Sequence, residues 1–173
     1  MRILGIDPGF AITGYSIVDY IGNKFSLIIS GAITTKAGTS FPLRLTKIFD
    51  DLNEIIENYK PDAISVEELF FNQNTKTAIQ VAEARGVILI TGCKKNIPTF
   101  EYTPLQIKQA VVGYGRADKS QVQKMIKTIL NVKELPKLDD TTDSIAAAIC
   151  HAHSAKFSEK LWGIKLWIIW NLW

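Results

Sequence analysis

A chain of 173 residues, 47% hydrophobic and 21% charged, has the balance of one folded domain with a full core, which excludes disordered, collagen-like and repeat architectures. The net charge of +3 suits a partner carrying phosphates without establishing one. Cys93 and Cys150 stand far apart with no CxxC pair, so neither a disulfide framework nor a zinc site is indicated, and both read as buried thiols of a reducing cytoplasm. The opening MRILGIDPG has no long apolar run behind its arginine, so no secretory signal is expected.

Arg2–Asp7 is a short apolar run stopped by Pro8-Gly9, which predicts a strand with Asp7 at its end. Residues 13–20 and 24–35 are strand-like and are separated by Ile21-Gly22-Asn23, a hairpin signal, so a three-stranded antiparallel meander is expected. From Pro42, Leu45, Ile48, Phe49, Leu52, Ile55, Ile56 and Tyr59 recur at helical spacing with polar residues between them. Pro61 ends this helix. Residues 63–66 form a further strand, whose crossover places Glu67 at another strand end.

Residues 74–95, rich in alanine, predict a helix packed closely on the sheet despite Gly86 and Gly92. A strand over 98–103 follows, then helices over Pro104–Val112 and Lys119–Leu130 around the glycine run 113–115. The last predicted helix covers 140–153, with Ile145, Ala146, Ile149 and Cys150 facing inward and Asp139 as its N-cap. The order predicts an α/β fold in which a mixed sheet is flanked by helices.

Asp7 and Glu67 thus come from two strand ends, while Asp140 and Asp143, spaced i, i+3, share one face of a helix's first turn. Oxygen ligands without paired histidines or cysteines suit a hard cation such as Mg²⁺ or Mn²⁺. Two such ions ~3.5–4 Å apart activate water and stabilise the leaving oxygen of a phosphodiester. Each acid also has an ordinary structural reading. Acids in a first turn favour the helix dipole, aspartate before Pro-Gly is a common turn residue, and Glu67-Glu68 fits a solvated loop edge.

GIDPG with a following TGY, then VEELFF, EARGV, EYTPLQIKQAVVGYGRADKSQVQ and DDTTDSIAAAICHAH together resemble the bacterial RuvC Holliday junction resolvases, from the first residues to about Ser154. The resemblance implies an RNase H-like fold with a five-stranded sheet, and Mg²⁺-dependent nicking of two strands of a four-way DNA junction by a homodimer. It implies two ions per active site, with Mn²⁺ as a substitute, and a branch-migration motor as a further partner. On the same resemblance Asp7, Glu67, Asp140 and Asp143 are the metal-binding catalytic carboxylates, the motif spacing selecting Asp140 over Asp139.

Lys108 and Lys119 flank the glycine run, and Lys119 opens a helix whose amides can also bind phosphate. Such lysines are usually a solvated face; with the resemblance, contact with the DNA backbone is the better reading, with Arg116, Lys124 and Arg85 as weaker additions. Phe70 and Phe71 follow Glu67 closely, and an aromatic there can stack on or wedge between bases. The resemblance favours Phe70 for that part. His151 and His153 do not face each other on a helix, and helix C-terminal placement accounts for them.

Residues 1–154 are read as the nuclease domain and 155–173 as an atypical tail. From Leu161 the chain reads LWGIKLWIIWNLW, which holds every tryptophan and lies outside the family signature. The run is shorter than the ~20 residues that span a bilayer and contains Lys165, so no membrane partner is expected. Two rival functions remain. An actin-like ATPase or sugar kinase needs a second glycine-rich phosphate motif and a second domain, and a catalytically inactive junction-binding scaffold is disfavoured by the intact carboxylates.

Overall fold

The computed structural model describes residues 1–68 and 75–162, excepting the side chains of 75, 76 and 156–162. Five strands, β1 (Arg2–Asp7), β2 (Ile12–Ile21), β3 (Lys24–Thr34), β4 (Ala63–Glu67) and β5 (Thr99–Tyr102), form one sheet in the order β3-β2-β1-β4-β5. The first three pair antiparallel, whereas β4 and β5 join parallel to β1. The helices are α1 (Phe41–Tyr59), α2 (Thr75–Lys94), α3 (Pro104–Val112), α4 (Lys119–Leu130) and α5 (Asp139–Trp162). The mixed sheet flanked by helices matches the expected class.

Strand alternation sends side chains to two separate cores. Leu4, Ile6, Ile17, Ile64 and Val66 face α1 and α2, where they pack with Ile48, Leu52, Ala84 and Ile88. Ile3 and Val18 face the other way, onto Ile107, Ile126, Ile145 and Ile149 of α3, α4 and α5. Each fully buried isoleucine or leucine contributes about 1.5–3 kcal/mol, so both layers are needed to hold the sheet. By the same alternation, Gly5 and Asp7 of β1 share the α5 face with Ile3. Ser65 of β4 is on that face too, donating to the Ala147 carbonyl of α5 at 2.7 Å, and Glu67 follows two residues later.

α5 lies hard against the sheet because glycine faces it. A Cβ on Gly5 would meet the Ser144 carbonyl oxygen at 2.0 Å, and one on Gly14 would meet the Asp140 carbonyl oxygen at 2.0 Å. No side chain fits in either gap.

Several expectations need correction. α5 begins at Asp139, with the Leu138 carbonyl accepting from Thr142 N–H, so Asp139 is a first-turn residue and not the N-cap. The helix also continues to Trp162, past the expected end at 153. His151 is therefore in mid-helix. It is buried, stacked on Phe100, with Nδ1 2.8 Å from the Tyr102 hydroxyl, and burial depresses its pKa to about 4, so it is a neutral core residue. Cys150 is buried as expected, but Cys93 is exposed on α2. Among the described residues no helix is long and apolar enough to cross a membrane.

Candidate active site

Parity and register bring the predicted acids to one place. Asp7 ends β1 and Glu67 ends the adjacent parallel β4, both on the α5 face. Asp7 pairs in register with Gly14, the glycine against which the Asp140 backbone lies. Asp140 and Asp143 then project from the first turns of α5, and the charges of Glu67, Asp143 and Asp140 are all felt at Asp7.

The electrostatics are those of a cluster short of positive charge. Burial, then repulsion from Glu67, Asp143 and Asp140, pushes the Asp7 carboxyl up to about 8. Burial and the Asp143 charge push Glu67 up to about 7, although Lys119 and Lys108 act in the opposite direction. Asp143 is likewise raised by burial, which outweighs its ion pair with Lys119.

Lys119 Nζ lies 3.2 Å from Asp143 Oδ2 and 3.4 Å from Asp139 Oδ2. Burial opposes the charge on Lys119, yet Asp143 and Asp139 prevail and hold its pKa above the ordinary value. Its N-cap, Asp118, closes a reciprocal capping box with Gln121, which fixes the start of α4 and with it the lysine. The α3 start is fixed in the same way by Thr103 and Gln106, four residues before Lys108 on the same element.

Asp139 is exposed and turned to Lys119, while Asp140 is half-buried against Gly14. Arg116 is exposed in the turn before α4. Arg85 is not a free cation for DNA, because its guanidinium is engaged by Glu101 of β5. Phe70 and Phe71 lie outside the described residues, as does the tail over 163–173. Sequence reasoning missed Gly14, although a glycine inside a strand pattern signals close backbone approach.

Among the described residues no three His, Cys, Asp or Glu side chains are gathered tightly enough to coordinate an ion together. The donor set nevertheless fits a hard divalent cation. It is all carboxylate and partly buried, and Asp7 and Glu67 are raised in pKa by burial first and by neighbouring carboxylates second, a cost that a cation would relieve. Lys119 now occupies part of that electrostatic position, tied to Asp143.

Acidic residues on two parallel strand ends, facing a helix that brings two more across the sheet, define a nuclease of the RNase H-like class. The chain belongs to the RuvC family: the family model for crossover junction endodeoxyribonuclease RuvC matches residues 3–151. It is 55% identical over 159 residues to the crossover junction endodeoxyribonuclease RuvC of Alkaliphilus oremlandii, covering 92% of this chain and 97% of the relative. The solved structure of Thermus thermophilus RuvC superposes with a TM-score of 0.86 at 32% identity, over 91% of this chain and 97% of that one. A second structure shows T. thermophilus RuvC in complex with a Holliday junction substrate, with a TM-score of 0.86, 31% identity, and coverage of 91% and 96%. The chain is thus a phosphodiester-hydrolysing enzyme of DNA recombination and repair, and the actin-like and inactive-scaffold alternatives fall away.

Proposed function

We propose that the chain resolves four-way DNA junctions by nicking two strands symmetrically, one in each active site of a homodimer. The observation that carries this reading is the convergence of Asp7, Glu67, Asp140 and Asp143 at one sheet end, bordered by Lys108 and Lys119.

Asp7 and Glu67, flanked by Asp140 and Asp143, would hold two Mg²⁺ ions, with Mn²⁺ as a substitute, which supply an activated water and charge stabilisation at the leaving oxygen. Glu67 and Asp7 are held by adjacent strands, so their separation is fixed by the sheet, while the α5 pair is fixed by its packing on Gly14. Lys119, once released from Asp143, is free to meet phosphate, and Lys108 supports it from α3. Arg116 adds backbone contact, and Phe70, with Phe71 beside it, engages bases opened at the crossover.

The homodimer is supported by α2. Ile79 and Ile90 are 71% and 56% exposed, and eleven residues is three turns, so they share one stripe. Gly86 lies on that stripe with open space where a Cβ would be, which lets a second helix come close. Delivery of junctions by a branch-migration motor, within the cytoplasm, completes the reading by family.

Incubating the protein with a four-way junction, a linear duplex and an RNA/DNA hybrid, with and without Mg²⁺, tests it. Paired symmetric nicks are expected in the junction alone and only with metal. Equal cutting of linear duplex would overturn junction selectivity.

A further inference from the structure

A second gathering of charge lies at the same end of the sheet. β3 and β1 both run antiparallel to β2, so β3 ends where β1 ends. Beyond that end, against the first two turns of α1, a cavity of about 270 Å³ is lined by Lys36, Arg44 and Lys47 together with Thr34, Thr35, Thr39 and the side chain of Leu43. No carboxylate lines it.

The register places this cavity relative to the carboxylates. Asp7 pairs with Gly14, and Gly14 with Ala32, two residues before Thr34. Two strand spacings of about 4.8 Å and two residue rises of about 3.4 Å put Thr34 roughly 12 Å from Asp7. The axial rise of about 3.4 Å per nucleotide makes about four nucleotides the upper bound on that span, because the strand also winds around the axis.

The walls are tied to the active-site loop. Arg44 Nε donates to Thr35 Oγ1 at 2.7 Å and Nη2 to the Phe10 carbonyl at 3.3 Å, with the guanidinium 4.4 Å above the Phe10 ring. Thr35 Oγ1 donates to the same carbonyl at 2.6 Å. Phe10 follows Asp7 by three residues, so the cavity and the loop leaving Asp7 are one bonded unit. Lys47 makes only an exposed pair with Asp51 at 2.7 Å, which a phosphate can displace. The adjoining first turn of α1 holds no acid, and Ser40 makes no side-chain cap to its amides.

We infer that this cavity seats a backbone phosphate of the junction, within about four nucleotides of the scissile position, and that Arg44 links that phosphate to the placement of the Asp7 loop. The inference rests on the junction-cutting reading and adds a contact on the β3 side, away from Lys108 and Lys119. Three cations, three hydroxyls and no acid select a phosphate; continuity with the catalytic end selects one in DNA over one in solution.

The test compares wild type with the Lys36→Ala/Lys47→Ala double variant in metal-free buffer, measuring junction affinity from 50 to 200 mM salt. One lost phosphate contact lowers the slope of log K against log salt by about 0.9, so the affinity gap between the two proteins should shrink about 3.5-fold over that range. Of single methylphosphonates scanned over the first four or so nucleotides beside the cut, at least one should cost wild type several-fold in affinity and the variant nothing. An unchanged slope, or an equal methylphosphonate loss in both proteins, overturns the inference. Inorganic phosphate that raises the melting temperature of wild type but not of the variant, with equal junction slopes, assigns the cavity to free phosphate and also overturns it. A wild type that cuts no junction with Mg²⁺ overturns the junction reading itself, whereas cutting by wild type with equal slopes refutes only this contact.

Discussion

Asp7→Asn should stabilise the metal-free fold while abolishing cleavage. The ordinary carboxyl pKa of 3.8 is pushed up to about 8 in the folded protein, by burial first and by Glu67, Asp143 and Asp140 after it. An acid raised in this way binds more protons folded than unfolded, so stability is lost as pH rises from about 4 to 8. At pH 7, some three units above the ordinary value, keeping Asp7 protonated costs about 4 kcal/mol at about 1.36 kcal/mol per unit. Asparagine is a neutral isostere and removes that cost, but Glu67, itself pushed up to about 7, already relieves part of it by taking up a proton. A gain of about 2 kcal/mol is therefore expected, or about 4–8 °C in melting temperature for a chain of this size. Thermal melts in EDTA from pH 5 to 8 should show wild type losing stability with pH and the variant losing less. Added Mg²⁺ should raise the wild-type melt and barely move the variant, because binding to the folded state stabilises only where the site is intact. A variant that melts below wild type at pH 7 in EDTA would refute the reasoning, since Asp7 would then be a favourable structural contact.

The other acids should follow in activity: Glu67→Gln, Asp140→Asn and Asp143→Asn are each expected to abolish junction cleavage and leave gel-shift binding intact or tighter, as lost negative charge lessens repulsion of phosphate. Lys108→Ala and Lys119→Ala should each lower the salt slope of junction binding by about one, read by titration across salt concentrations, and equal slopes would place them on an idle face. Gly14→Ala sets a Cβ 2.0 Å from the Asp140 carbonyl oxygen, so a loss of about 1–3 kcal/mol in denaturant melts and of most cleavage is expected. Ile79→Glu with Ile90→Glu should yield a folded monomer by sedimentation, and an unchanged dimer would exclude the α2 stripe.

What was legible in the sequence was whatever period and punctuation encode. Residues 2–7 before Pro-Gly, the hairpin at Gly22-Asn23 and the apolar stripe ending at Tyr59 all state their element locally, and each stands within a residue or two of its expected place. The four acids were legible as strand ends and a first turn. Their meeting was not, because it depends on which face each residue takes. Asp7 and Glu67 reach α5 only because Ile6 and Val66 are committed to the opposite core. The neutral, buried His151 was misplaced for a similar reason. Its helix was ended too early, and Phe100 and Tyr102, which bury it, come from a strand some fifty residues away. Arg85 looked available to DNA because Glu101, which engages it, comes from a strand 16 residues further on.

The same packing that holds the site also makes it strained. α5 is pinned by Ile145 and Ile149 in the core and by backbone contact at Gly5 and Gly14, so its first turn cannot withdraw Asp140 from Asp7 without opening the sheet face. β4 is pinned by Ile64 and Val66 in the other core, so Glu67 cannot retreat either. Like charges that the chain could have separated are instead buried and held together by apolar packing, and raised carboxyls at Asp7, Glu67 and Asp143 are the result. Lys119 compensates at Asp143 from a helix start that its capping box fixes, yet it only partly offsets the burial and crowding of Asp7 and Glu67. The carboxylate pair deepest in the site is thus the pair with most to gain from a cation, and the rigidity of both cores converts that gain into affinity, because little reorganisation is required to bind.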